Sequence, residues 1–273
     1  MQDTGKFRTN SKDQFYTKPP IAKICVDTLL QFISQPEEYL WLEPSAGNGS
    51  FLKAVPSFCN MMGLDIDPPT PEISQTDFLT WDPIPKQKYI LFGNPPFGRQ
   101  ASLAKAFISK GCEFATFIAF ILPRSFMKPS MTNVFPLQFH CIYSQELEKN
   151  SFEINQQDYH VPCVFQIWEK KTIDRALAPK IQEEGFVYVK SEDSFHVAFR
   201  RVGGLAGQCY EYGSKEFNPQ CFYFLRFENK FVKKLKKIIK DINSHSFPNN
   251  TVGPKSLSKS EINQVVNEIL KKL

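Results

Sequence analysis

Short apolar runs that each stop at a chemically distinctive loop constrain this chain most. Residues 39–42 (Tyr-Leu-Trp-Leu) run into Glu43-Pro44-Ser45-Ala46-Gly47-Asn48-Gly49. Residues 61–64 run into Asp65-Ile66-Asp67-Pro68, and residues 89–92 lead to Asn94-Pro95-Pro96-Phe97. A fourth run, 116–122, stops at Pro123, and a further one covers 161–168. All are of strand length and too short to be buried helices. Between them lie segments with helical spacing. Residues 21–33 carry Ile21, Ile24, Cys25, Thr28, Leu29 and Phe32 on one expected face, after a Pro19-Pro20 start. Residues 50–54 are expected to open a second helix and 101–111 to form a third. Strands alternating with helices predict an α/β fold with a mostly parallel sheet. In such sheets ligands bind beyond the carboxyl ends of the strands. The distinctive loops all fall there.

Composition narrows the class. With 42% apolar and 22% charged residues, a chain of 273 residues can bury a core of ordinary size. The first twelve residues are polar and lack the apolar core of a signal peptide. No apolar stretch is long enough to span a bilayer. Seven cysteines without a CxxC pair predict reduced thiols in an intracellular compartment, cytoplasmic or nuclear. His160 and Cys163 have no second ligand pair at suitable spacing, so no metal site is expected.

After about residue 171 the texture changes. Runs at 186–189, 195–200 and 221–227 read as short strands, with turns at Gly203-Gly204 and Gly207. Phe231, Leu235, Ile238, Ile239 and Ile242 mark one face of a helix, and 258–273 reads as a last helix capped by Ser258 or Ser260. The expected division is a domain at 1–172 and a smaller α+β extension at 173–273. From residue 225 onward eleven Lys and Arg face only four acids, although the net charge of the whole chain is +5. Such asymmetry suits a polyanionic partner, and equally a solvated lysine face.

The Glu43–Gly49 loop follows a strand and opens toward a helix, so its glycines allow close approach of a ligand. Its spacing is neither GxGxxG nor GxxxxGK[ST], which argues against a phosphate loop. A ligand with an amino-acid portion fits better, because Glu43 can accept from an ammonium group. Asp65, with Asp67 as rival, sits where an acid commonly accepts from ribose hydroxyls. Asp77 and Phe78 are suited to border an adenine. Asn94-Pro95-Pro96-Phe97 can hold a planar amine: the Asn oxygen and a backbone carbonyl accept from its NH2 while the ring stacks on its face.

In this order, Phe15-Tyr16-Thr17, Glu43 to Gly49, Asp65, Asp77 and Asn94 to Phe97 resemble the class I S-adenosylmethionine-dependent methyltransferases. More narrowly they are similar to the amino-methyltransferases that modify adenine N6, with the segment order of the γ group of DNA adenine methyltransferases. The resemblance covers roughly residues 14–170. It implies a Rossmann-like seven-stranded, mostly parallel sheet and S-adenosylmethionine as cofactor. It implies catalytic roles for Asn94, Pro95, Pro96 and Phe97. Cofactor contacts would come from Tyr16, Thr17, Glu43, Pro44, Ser45, Ala46, Gly47, Asn48, Gly49, Asp65, Ile66, Asp77 and Phe78. A second ring against the base would come from Tyr159 or Phe152, and Phe126 and Lys128 would edge the substrate channel. The implied reaction is methyl transfer to adenine N6 in DNA, with RNA open beside it, the basic extension contacting the nucleic acid. No membrane is involved, and a partner subunit is compatible with the pattern. A protein glutamine N5-methyltransferase, or a silent nucleic-acid-binding subunit of the same fold, remain the alternatives.

Overall fold

A computed structural model describes residues 15–154, 157–214, 216–251 and 253–273. The polar start at 1–12 therefore lies outside the described residues. The chain divides into two compact units, Met1–Leu177 and Ala178–Leu273.

In the first unit, β1 (Tyr16–Thr17) precedes α1 (Pro19–Leu30), whose first turn is built on the two prolines. Proline tolerates that position because the N–H it lacks has no helical partner there. Then come β2 (Leu40–Glu43), β3 (Asn60–Asp65), β4 (Ser74–Gln75) and β5 (Tyr89–Gly93). α2 (Ser102–Phe114) leads into β6 (Ala115–Pro123). α3 (Pro129–Thr132), β7 (Phe139–Glu146), β8 (Phe152–Ile154), β9 (Gln157–Tyr159) and β10 (Cys163–Lys170) follow. Seven strands form one sheet in the order β4-β3-β2-β5-β6-β10-β7. The pairs from β4 to β6 are parallel, while β10 runs antiparallel to both β6 and β7. Six strands thus share one direction. β5 is buried along its whole length, as expected of a parallel strand covered on both faces. A separate three-stranded sheet, β1-β8-β9, joins residues 16–17 to the chain between β7 and β10.

Two local expectations need correction. Residues 50–54 open no α-helix; the segment is a single 3-10 turn, Leu52–Ala54. Gly49, at φ +72°, turns the chain before it, and Pro56 disfavours the helical region for Val55 just after it. On α1 the buried stripe is Ala22, Cys25, Val26 and Leu29 rather than one through Ile24, which is 61% exposed. The strand β7 and the small sheet carry weak alternation and escaped the sequence pattern.

Arg175 closes the first unit. Its guanidinium lies over the Trp168 ring, 5.4 Å from the centroid. It donates to the carbonyls of Phe139 (2.8 Å), Phe135 (2.9 Å), Thr132 (3.3 Å) and Pro136.

The second unit is α+β. β11 (Phe186–Val189), β12 (Val197–Arg200), β13 (Cys209–Glu211) and β14 (Phe222–Phe227) pair antiparallel in the order β11-β14-β12-β13. The face bearing Phe186, Val197, Phe199, Leu225 and Phe227 packs with Ile238 and Ile242 of α5 (Leu235–Ser244) and with Ile262 and Val266 of α6 (Lys259–Lys271). The expected single helix across 231–242 is interrupted, since a separate turn of helix, α4 (Asn229–Val232), precedes α5. Ser258 caps α6 in a reciprocal box with Glu261.

Candidate active site

The loops at the carboxyl ends of β2, β3, β4 and β5 meet in one cleft of about 550 Å³, closed on one side by residues 15–17. Of the residues singled out in the sequence, Tyr16, Thr17, Glu43 to Asn48, Asp65, Ile66, Asp77, Phe78 and Asn94 to Phe97 line it, and so does Asp67. Gly49 does not. Its φ of +72° and the hydrogen bond from its N–H to the Ala46 carbonyl (2.7 Å) close the turn instead. Phe15, Thr76, Leu79 and, from α2, Leu103 and Phe107 also line the cleft. Phe15 belongs to the segment singled out in the sequence; the other four were missed, although the i, i+4 spacing of Leu103 and Phe107 marks one face of the helix.

The first loop is held by its own backbone. Gly47 adopts φ +50°, and a Cβ there would come within 3.1 Å of the Tyr16 ring, so any other residue would be strained and would push that ring outward by a few tenths of an ångström. The Gly47 N–H donates to Asp65 Oδ2 (2.8 Å), and the Asp67 N–H donates to Oδ1 (2.9 Å). Asp65 therefore clamps two strand-end loops together. Each carboxylate oxygen still has a further lone pair for a ligand hydroxyl. Asn48 Oδ1 accepts from the Ser50 N–H (3.2 Å) and hydroxyl (2.7 Å), which turns its side chain back onto the loop. Asp77 accepts from the Leu79 N–H (2.9 Å), and its neighbour Phe78 is 1% exposed, packed on Phe107 at 5.1 Å.

At the end of β5 the Asn94 side chain is oriented from outside its own loop. Its Nδ2 donates to the Phe15 carbonyl (3.0 Å). The Ser45 hydroxyl donates to the Asn94 main-chain carbonyl (3.2 Å), tying the two loops together. The Phe97 carbonyl accepts from the N–H groups of Leu103 (3.2 Å) and Ala104 (3.4 Å), so the tetrapeptide is anchored on the start of α2. The Phe97 ring is 7% exposed.

Buried acceptors without partners concentrate here. Among the described residues, five buried side-chain polar atoms lack a hydrogen bond, and three of them, Thr17 Oγ1, Glu43 Oε2 and Asn94 Oδ1, belong to residues that line this cleft. Such atoms are costly unless a ligand completes them. Glu43 is 2% exposed, and burial, helped by the nearby Asp65 charge, raises its carboxyl well above the ordinary range. A hydrogen bond with the Leu52 backbone offsets part of that rise. Gly93, at φ +122°, leaves the space that the Glu43 side chain fills: a Cβ there would lie 3.0 Å from Glu43 Cγ. Among the described residues four acids line the cleft, Glu43, Asp65, Asp67 and Asp77, and no Lys, Arg or His does. A cationic ligand matches that lining and a polyphosphate does not.

Several expected contributors lie elsewhere. Phe126 and Phe152 are 0% and 1% exposed and belong to the core. Tyr159 stacks on Phe15, with centroids 5.1 Å apart and planes at 19°. Neither Tyr159 nor Lys128 lines the cleft. Burial lifts the Cys112 thiol to about 12 and also raises Cys25, Cys163 and Cys209, and among the described residues no cysteine lines the cleft. Among the described residues no group of three His, Cys, Asp or Glu could hold a metal ion, and no helix is long and apolar enough to cross a membrane.

No protein-family model matches the sequence, and no curated protein matches it at a significant level. Solved structures overlap it distantly. A candidate RNA methyltransferase from Pyrococcus horikoshii gives a TM-score of 0.46 at 14% identity, over 62% of this chain and 92% of its own. A candidate class I S-adenosylmethionine-dependent methyltransferase from Listeria monocytogenes gives 0.46 at 15%, over 63% and 66%. The methyltransferase subunit of a type I restriction-modification system from Streptococcus thermophilus gives 0.43 at 15%, over 98% and 59%. Overlaps of this extent assign neither a family nor an activity.

Proposed function

We propose that this chain is an S-adenosylmethionine-dependent methyltransferase with the class I fold, acting inside the cell on the exocyclic N6 amine of adenine in nucleic acid, DNA before RNA. One observation carries the reading. Asn94 Oδ1 is a buried acceptor without a partner, at a strand end, in a cleft lined by acids. A planar NH2 group completes that acceptor, and the acid-lined part suits a cofactor bearing ammonium and sulfonium charges.

When bound, S-adenosylmethionine supplies an electrophilic methyl group. The residues present fit it: Glu43 Oε2 would accept from the ammonium, Asp65 would accept from ribose hydroxyls through its remaining lone pairs, and Asp77 and Phe78 would border the adenine. On the acceptor side, Asn94 Oδ1 and the Pro95 carbonyl accept from the amine N–H groups. This favours a pyramidal nitrogen whose lone pair is freed from the ring. Asn94 has no ionisable group, so it orients the amine and takes no proton. Pro95 and Pro96 stiffen the loop before the acceptor arrives. The Phe97 ring contributes a stacking face, worth about 1–3 kcal/mol in comparable base–aromatic contacts. An adenine in a duplex has to leave the stack to reach such a cleft.

The second unit supplies the polyanion contact in this reading. Lys236, Lys237 and Lys240 on α5, with Lys233 before it, are exposed, and the only acid on α5 is Asp241. The test is transfer of labelled methyl from S-adenosylmethionine to DNA, RNA and protein pools, with Asn94→Ala in parallel and digested products analysed by mass spectrometry. N6-methyladenine that disappears in the variant is the expected result. Label in protein glutamine, or no transfer despite cofactor binding, overturns the adenine assignment.

A further inference from the structure

The Asn94 amide is useful to an incoming amine only in one orientation, and the structure shows what selects it. A planar amide presents an acceptor at one end and two donors at the other. With Nδ2 donating to the Phe15 carbonyl (3.0 Å), Oδ1 is the end left unpartnered. Turned by 180°, the side chain would present N–H groups to an amine that also presents N–H groups. The selecting atom is a main-chain oxygen, and its direction depends on how the Phe15–Tyr16 peptide plane is held.

That plane is held from the chain between β7 and β10. Tyr16 and Thr17 pair with Glu153 and Phe152 of β8. The Lys18 N–H donates to the Ser151 carbonyl (3.1 Å), and Lys18 Nζ pairs with Asp158 (2.5 Å). These contacts fix residues 16–18. Phe15 precedes the ladder, and its ring lies on Tyr159 of β9, centroids 5.1 Å apart and planes at 19°. Stacked rings restrain the Phe15 backbone where the ladder has ended.

We propose that Tyr159 is a positioning residue for Asn94, acting through its stack on Phe15, rather than a ring that touches the acceptor. This deepens the methyltransferase reading and rests on it for its kinetic consequence. Its structural consequence is independent of that reading.

The experiment separates the two. In 15N-labelled full-length protein, the Asn94 side-chain NH2 pair is identified by its loss in Asn94→Ala. In Tyr159→Ala the pair is expected to move and to exchange faster with water, whereas Tyr159→Phe, which keeps the ring, leaves it in place. Phe15→Leu, which keeps the carbonyl but removes the stack, is expected to reproduce Tyr159→Ala and decides the matter should Tyr159→Ala not fold. In methyl transfer, kcat falls about 100-fold in Tyr159→Ala, the scale of a misplacement near 1 Å. Cofactor affinity stays within about twofold. An unmoved Asn94 pair in Tyr159→Ala and Phe15→Leu overturns the proposal, as does a rise in acceptor KM alone. Tyr159→Phe behaving like Tyr159→Ala also overturns it, since the hydroxyl and not the stack would then matter. If the Asn94 pair moves but the wild-type protein transfers no methyl group, the positioning role stands and the methyltransferase reading fails.

Discussion

Replacing Glu43 with Gln should move stability and cofactor affinity in opposite directions. The Glu43 carboxyl is 2% exposed, its Oε2 has no partner, and burial raises its pKa well above the ordinary carboxylate range. A carboxyl whose folded value exceeds the unfolded one, about 4.3, leaves stability intact below that pH. As the pH rises, the unfolded chain ionises freely while the fold holds the proton, so stability falls until the folded group ionises too. Glu43→Gln removes that loss: its thermal midpoint should match wild type near pH 4 and exceed it at pH 8. Binding runs the other way. A hydrogen bond to a charged group is worth about 1.5–3 kcal/mol, so losing the Glu43-to-ammonium contact should weaken S-adenosylmethionine about 10- to 150-fold. A cationic ligand also favours the ionised carboxylate, so wild-type binding should release up to about one proton per cofactor at neutral pH. Calorimetry in buffers of different ionisation enthalpy reads that proton directly, and the release should vanish in the variant. Equal affinity in both proteins, with no difference in proton release, would refute the reasoning.

Three further outcomes follow from other positions. Gly93→Ala forces an L-residue to φ +122° with its Cβ 3.0 Å from Glu43, a strain of about 2 kcal/mol. The melting midpoint should fall by about 4–8 °C, and calorimetry should show weaker cofactor binding. Ser258→Ala removes the hydroxyl that accepts from the Glu261 N–H, leaves the backbone half of the α6 capping box, and should cost about 1 kcal/mol, visible as faster hydrogen exchange in Lys259–Lys271. Changing Lys233, Lys236, Lys237 and Lys240 together to Gln should reduce the slope of log affinity against log salt by about 3 for a single strand and about 4 for duplex DNA, if each meets a phosphate. An unchanged slope would locate the polyanion contact elsewhere.

The sequence made the strand-end loops legible because parallel strands are continuous apolar runs and their punctuation is abrupt. β5 and β6 could be read to within a residue or two for that reason. The order of the strands, and the antiparallel β10 between β6 and β7, depend on long-range pairing that no local pattern encodes. Residues 16–17 illustrate the limit. Phe15-Tyr16-Thr17 stood out as a segment, but nothing local could show that its carbonyl turns the Asn94 amide or that its ring meets Tyr159. The second ring assigned to the acceptor went astray for the same reason: an aromatic at a strand end reads alike whether it faces a cleft or another ring.

Arg175 bears on where the polypeptide can be cut. It lies beyond residue 172 and five residues past the end of β10, at Lys170, yet its guanidinium closes off four carbonyls, from Thr132 at the end of α3 to Phe139 at the start of β7, and covers Trp168. A fragment trimmed at 172 would leave those carbonyls without their donor and one face of an indole uncovered, inviting aggregation. One trimmed after Leu177 keeps the clasp. The seven-stranded sheet is thus finished not by its last strand but by a side chain in the tail that leaves it.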